Sequence, residues 1–112
     1  MRYNLGEFEE IVLLVVAAQH EQAYGLSVTQ AIEEELQRSV TMSSVHTALY
    51  RMEEKGLVKS QLGEVTKARA GRPKRIFVVT AAGKKALLEA KDARNHLWSL
   101  IPKFVFDIKA YG

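Results

Sequence analysis

Two stretches with strand character, LVKSQL at 57–62 and RIFVVT at 75–80, are flanked on both sides by residues that recur at helical spacing. Gly63, Gly71 and Pro73 punctuate the segment between them, so the pair reads as one β-hairpin with a long tip. An isolated hairpin is marginal in water. The expected fold class is therefore mainly α with a small β-hairpin.

The helical signals come in order. In residues 5–20, LGEFEEIVLLVVAAQH, Val and Ile favour strands, but Phe8, Ile11, Val12, Val15 and Ala18 fall at helical spacing. Helix is the reading chosen, because three acids at its start suit the positive end of a helix dipole. Eight consecutive apolar residues, Ile11 to Ala18, predict that it is buried nearly all round. SVTQ at 27–30 reads as a capping box opening a second helix to about Arg38, with Val28, Ala31, Ile32 and Leu36 inward and Glu33 to Glu35 outward. Ser43 is the expected cap of a third helix, whose Val45, Ala48, Leu49 and Met52 recur at i, i+3, i+4 and i+7 and which Gly56 closes. After the hairpin, Thr80 caps a last helix carrying a stripe of Leu87, Ala90, Arg94, Leu97 and Ile101. Pro102 is expected to end or kink it.

Charge is segregated along this frame. Residues 1–39 carry two cations and seven acids, residues 40–80 eight and three, and residues 81–112 six and three. No carboxylate occurs between Glu64 and Glu89, while Lys67, Arg69, Arg72, Lys74 and Arg75 crowd into nine positions. Such a cluster repels itself unless a polyanion neutralises it, and each neutralised phosphate also releases counterions. The order helix, helix, helix, hairpin, helix, with a gap of about five residues between the second and third helices, fits a winged helix-turn-helix whose third helix enters the major groove and whose hairpin is the wing. With Val45, Ala48, Leu49 and Met52 inward, Ser43, Ser44, His46, Thr47, Tyr50 and Arg51 face elsewhere, and their hydroxyl, imidazole, phenol and guanidinium groups suit phosphates and base edges. The ordinary use of such a face is contact with solvent. Its place just before a basic hairpin argues for DNA. The tip AGRPKR also partly matches the Gly-Arg-Pro core of an AT-hook, with Ala70 where that motif usually has arginine, which leaves Arg72 as a minor-groove candidate.

Other classes are disfavoured. His20, His46 and His96 lie in three different elements without metal-ligand spacing, no glycine-rich phosphate loop or nucleophile elbow occurs, and there is no cysteine. No enzyme activity, metal or cofactor is expected. The longest apolar run is too short for a bilayer and the start MRYNLGEFEE has no secretory pattern, so no membrane association and a cytoplasmic location are expected.

The segments LGEFEEIVLLVVAA, AYGLSVTQAIEEEL, SSVHTALYRMEEKGLVKSQLGE and GRPKRIFVVTAAGKKAL, over roughly residues 5–88, resemble the PadR-like family of bacterial transcriptional regulators. The resemblance implies a homodimer, usually a repressor of a palindromic operator, with a winged helix-turn-helix over 1–80 and a dimerisation helix and tail over 81–112. It places Ser43, Ser44, Thr47 and Arg51 where the family's recognition helix approaches DNA, and Arg72, Lys74 and Arg75 on the wing. His46 departs from the family, many members of which have tyrosine there. The single C-terminal helix is similar to the smaller subgroup, and Leu87, Leu97, Trp98, Leu100, Ile101 and Phe104 are the expected dimer contacts. Two alternatives accompany this reading: a sensor holding a small aromatic effector beside Trp98, and a winged-helix module that binds RNA or protein.

Overall fold

A computed structural model describes residues 5–65 and 73–107 of the chain. Four helices, α1 (Glu7–Gln19), α2 (Gly25–Leu36), α3 (Met42–Glu54) and α4 (Ala81–Ser99), enclose an antiparallel hairpin of β1 (Val58–Val65) and β2 (Pro73–Val79), with 3₁₀ turns at His20–Gln22 and Lys103–Phe106. This is the winged helix-turn-helix arrangement, followed by a long C-terminal helix.

One core unites the first three helices with the base of the hairpin. Val12, Leu13 and Val16 of α1 meet Val28 and Ile32 of α2, Val45, Ala48, Leu49 and Met52 of α3, Leu57 just before the hairpin, and Val58 and Phe77 within it, all buried. Each large side chain so placed contributes about 1.5–3 kcal/mol. The whole inward stripe expected of α3 is buried. The expectation for α1 is corrected, because its far side is open and Leu14 is 50% exposed. Eight apolar residues in a row bury only the side that other elements cover. Leu36, expected inward on α2, is exposed as well, since the chain turns at Gln37 in the left-handed region (φ 50°) before any neighbour reaches it.

Three caps differ from or match the local reading in instructive ways. α2 begins at Gly25, not Ser27; the Ser27 hydroxyl lies inside the first turn and accepts from the Tyr24 N–H at 2.9 Å. α3 is capped by Thr41, whose hydroxyl accepts from the Ser44 N–H at 3.1 Å, and Ser43 is helical. Thr80 does cap α4, accepting from the Gly83 N–H at 3.1 Å, and Gly56 closes α3 with φ 78°. α4 stops at Ser99, three residues before Pro102.

A further contact joins the hairpin to the helices. The Phe77 N–H donates to the Ala23 carbonyl at 2.8 Å, so the segment before α2 pairs with β2 as a one-residue third strand. No helix among the described residues is long and apolar enough to cross a membrane.

Candidate nucleic-acid interface

α3 is presented by its own packing. Burial of Val45, Ala48, Leu49 and Met52 turns Ser43, Thr47 and Arg51, spaced one helical turn apart, to the exposed side, with Ser44 half-buried beside them. Two hydroxyl protons here are already used: Ser44 donates to the Thr41 carbonyl at 2.8 Å and Thr47 to the Ser43 carbonyl at 2.9 Å. Their oxygens keep lone pairs for an outside donor.

His46 and Tyr50 occupy the other flank. The half-buried His46 ring packs against Gly25, where a Cβ would come within 2.1 Å of Nε2. The Tyr50 ring lies 6.0 Å from His46 and edge-on to Phe77 at 5.9 Å. The six residues expected on the outward face thus divide into an open row and an aromatic flank that braces α3 against α2 and β2.

The acids at the start of α1 do more than meet a helix dipole. Glu7 pairs with Arg38 at 2.9 Å, Glu9 with Lys55 at 3.0 Å, and Glu10 with Arg94 through two hydrogen bonds of 2.6 and 3.1 Å. The hydrogen bond and the charge of Glu10 raise the Arg94 pKa above its ordinary value. Glu7 and Glu9, paired with Arg38 and Lys55, border a groove of about 770 Å³ along Ser44, Thr47 and Arg51 without presenting bare negative charge to it. Nothing in the local pattern signals these pairs, because their partners lie far away in the chain.

Of the five clustered cations, Lys67, Arg69 and Arg72 lie outside the described residues. Lys74 is half-buried with its ammonium 4.2 Å from the centre of the Tyr24 ring. Arg75 is exposed and donates from Nη1 to the Ser60 hydroxyl at 3.1 Å, and Ser60 in turn donates to Glu53 of α3. No cluster of acids and histidines suited to a metal occurs among the described residues.

A second surface runs along α4. Every residue from Lys91 to Asp107 is exposed, including Leu97, Trp98, Leu100, Ile101 and Phe104. Leu87 packs partly against the protein's own core, and its neighbour Leu88 is 60% exposed. Trp98 stacks on Phe106 with centroids 5.9 Å apart and lines a groove of about 400 Å³ together with Leu14 of α1 and Leu88 of α4.

The profile of the transcriptional regulator PadR-like family matches residues 12–89. No curated protein matches the chain. Among solved structures, the chain is similar to a PadR-like transcription factor from Bacteroides fragilis, at 22% identity and a TM-score of 0.70 over 82% of this chain and 84% of that one. A PadR-like transcriptional regulator from Bacillus cereus is 19% identical with a TM-score of 0.70, covering 88% and 91% of the two chains. A PadR family transcription regulator from hypervirulent Clostridium difficile is 22% identical with a TM-score of 0.67, covering 88% and 98%.

Proposed function

The chain belongs to the transcriptional regulator PadR-like family, DNA-binding proteins that are not enzymes, and from that premise we propose that it is a cytoplasmic repressor working as a homodimer on an inverted-repeat operator. Two copies joined through residues 81–112 set their α3 helices about one DNA turn apart, roughly 34 Å. The observation that carries the reading is the open row Ser43, Thr47 and Arg51, held outward by a fully buried opposite face and followed by a cationic hairpin.

Roles within the interface follow from chemistry. Arg51 donates to a guanine edge or a phosphate, and Ser44 and Thr47, whose protons serve the helix, accept from the amino groups of cytosine or adenine. Ser43 meets the backbone at the helix start. His46 and Tyr50 hold the helix at its angle and reach DNA only at their edges. Lys67, Arg69, Arg72, Lys74 and Arg75 supply affinity that does not depend on sequence. Selection of bound duplexes from a random pool tests the whole scheme. An enriched inverted repeat is expected; a pool that stays random, or equal affinity for single strands, leaves only a general polyanion binder.

The groove beside Trp98 favours a second role, reception of a flat aromatic effector between subunits. The chain has one tryptophan, so its fluorescence reports this site alone. Quenching that saturates with an aromatic compound and weakens DNA binding supports the role, and fluorescence unchanged across a panel of such compounds removes it.

A further inference from the structure

The base of the wing is gripped from both sides. Lys74 and Arg75 are neighbours on β2, so their side chains leave opposite faces of the hairpin. On one face the Lys74 ammonium lies 4.2 Å from the centre of the Tyr24 ring, which belongs to the residue that caps α2. On the other, Arg75 donates to Ser60 of β1 at 3.1 Å, and Ser60 donates to Glu53 in the last turn of α3. The strand pairing is irregular beside the first of these contacts. It passes from Leu62 opposite Arg75 to Val65 opposite Pro73, three steps on β1 against two on β2, so a bulge lies across from Lys74. Bulges bend a strand and re-aim its side chains. At Gly63 in the bulged strand a Cβ would stand 3.3 Å from the Ile76 side chain, slightly tight, and 3.4 Å from the Lys74 carbonyl, an ordinary contact.

We propose that Tyr24 and Ser60, the latter anchored by Glu53, are positioning residues that lock the wing's basal cations to the helix-turn-helix, so that wing and recognition helix meet DNA as one rigid body. The inference rests on the DNA-binding reading above and adds residues that touch no DNA. Its physical basis is preorganisation. A lysine or arginine free in solvent gives up its rotamer freedom when it binds a phosphate, whereas one already held by a ring face or a hydroxyl gives up less. The ring face attracts the ammonium without neutralising it, and the Ser60 hydroxyl stands between Arg75 and the Glu53 carboxylate, so neither cation is tied into a direct ion pair by its clamp.

Duplex affinity measured by fluorescence anisotropy over a range of salt separates this role from a charge contact. The probes are a duplex recovered by selection and a scrambled duplex of the same composition. K74Q and R75Q each flatten the dependence of log affinity on log salt by about one unit. Y24L and S60A remove no charge and leave that slope unchanged; Y24L weakens binding about two- to fivefold, the range of an exposed cation–π contact, and S60A by about two- to tenfold, the range of a single hydrogen bond. Y24F, which keeps the ring, binds like the unaltered chain. Y24L has no further effect in a K74Q background, and S60A none in R75Q. In the free protein the Lys74 ε-methylene protons resonate upfield of a solvated lysine, and they lose that shift in Y24L but not in Y24F. Full-strength binding by Y24L and S60A, with flattened slopes in K74Q and R75Q, overturns the clamp and leaves the wing on DNA. Unchanged slopes in K74Q and R75Q overturn the clamp and the DNA-facing wing together. Tighter binding by Y24L also overturns it, because the ring would then be withholding the lysine.

Discussion

A Cβ on Gly83 would lie 2.1 Å from the carbonyl oxygen of Leu57. That oxygen already accepts the Thr80 N–H at 3.0 Å, and the Thr80 hydroxyl donates to the Gly56 carbonyl at 2.6 Å. Two opposed effects meet at this position. Alanine in a helix is favoured over glycine by about 1 kcal/mol, but a backbone oxygen fixed by a hydrogen bond has nowhere to go, and forcing volume into a packed contact costs about 1–3 kcal/mol. Sterics win, so Gly83→Ala is expected to destabilise the protein in urea denaturation. A gain in stability would mean that α4 does not dock on the α3–β1 connection. Nothing in AAGKK marks this glycine as special, because the atom that requires it belongs to another element. By contrast, the positions of α3 are legible from sequence alone: Val45, Ala48, Leu49 and Met52 follow the helical repeat so strictly that the open row is what remains.

At the scale of the element, helix starts are where local reasoning slips. Thr41, Ser43 and Ser44 are three hydroxyl residues within four positions, nearly equal in capping preference. The path of the chain decides between them: Thr41 has extended backbone (φ −93°, ψ 148°) and so can receive the Ser44 N–H, while Ser43 has entered the helix. Thr41→Ala is expected to cost about 1 kcal/mol, and Ser43→Ala to stay within about 0.5 kcal/mol as an exposed first-turn change. Thermal unfolding of the two variants checks this, and the opposite ranking would move the cap to Ser43. The shift of α2 has the same cause. Ser27 matches a capping box in sequence, yet the turn that pairs Ala23 with Phe77 brings Tyr24 and Gly25 into position first.

At the scale of the whole molecule, the radius of gyration is 17.3 Å with extents of 60 × 34 × 20 Å, whereas a compact domain of this length has about 13 Å. α4, running out from the core, contributes to the difference. Its first turns bury Gly83 and Ala86, and from Lys91 to Asp107 every residue is exposed, with apolar side chains in water and Arg94 tied back to Glu10 of α1. Trp98, 63% exposed, and Leu97, 62% exposed, are the expected anchors of the dimer. Sedimentation of the unaltered chain at micromolar concentration is expected to give a dimer, and Leu97→Glu to raise its dissociation constant at least tenfold, about 1.4 kcal/mol. A stable folded monomer of the unaltered chain contradicts the dimer. Sequence by itself determined what depends on neighbours in the chain: four helices from their periodicity, one hairpin from its composition and glycines, the open side of α3, and the excess of positive charge. Tertiary structure alone decided the matching of distant residues, such as Glu10 with Arg94, Ala23 with Phe77, and Tyr24 with Lys74. Periodicity reports which side of an element is apolar, but which polar group meets which depends on how the elements cross, and no local pattern encodes that crossing.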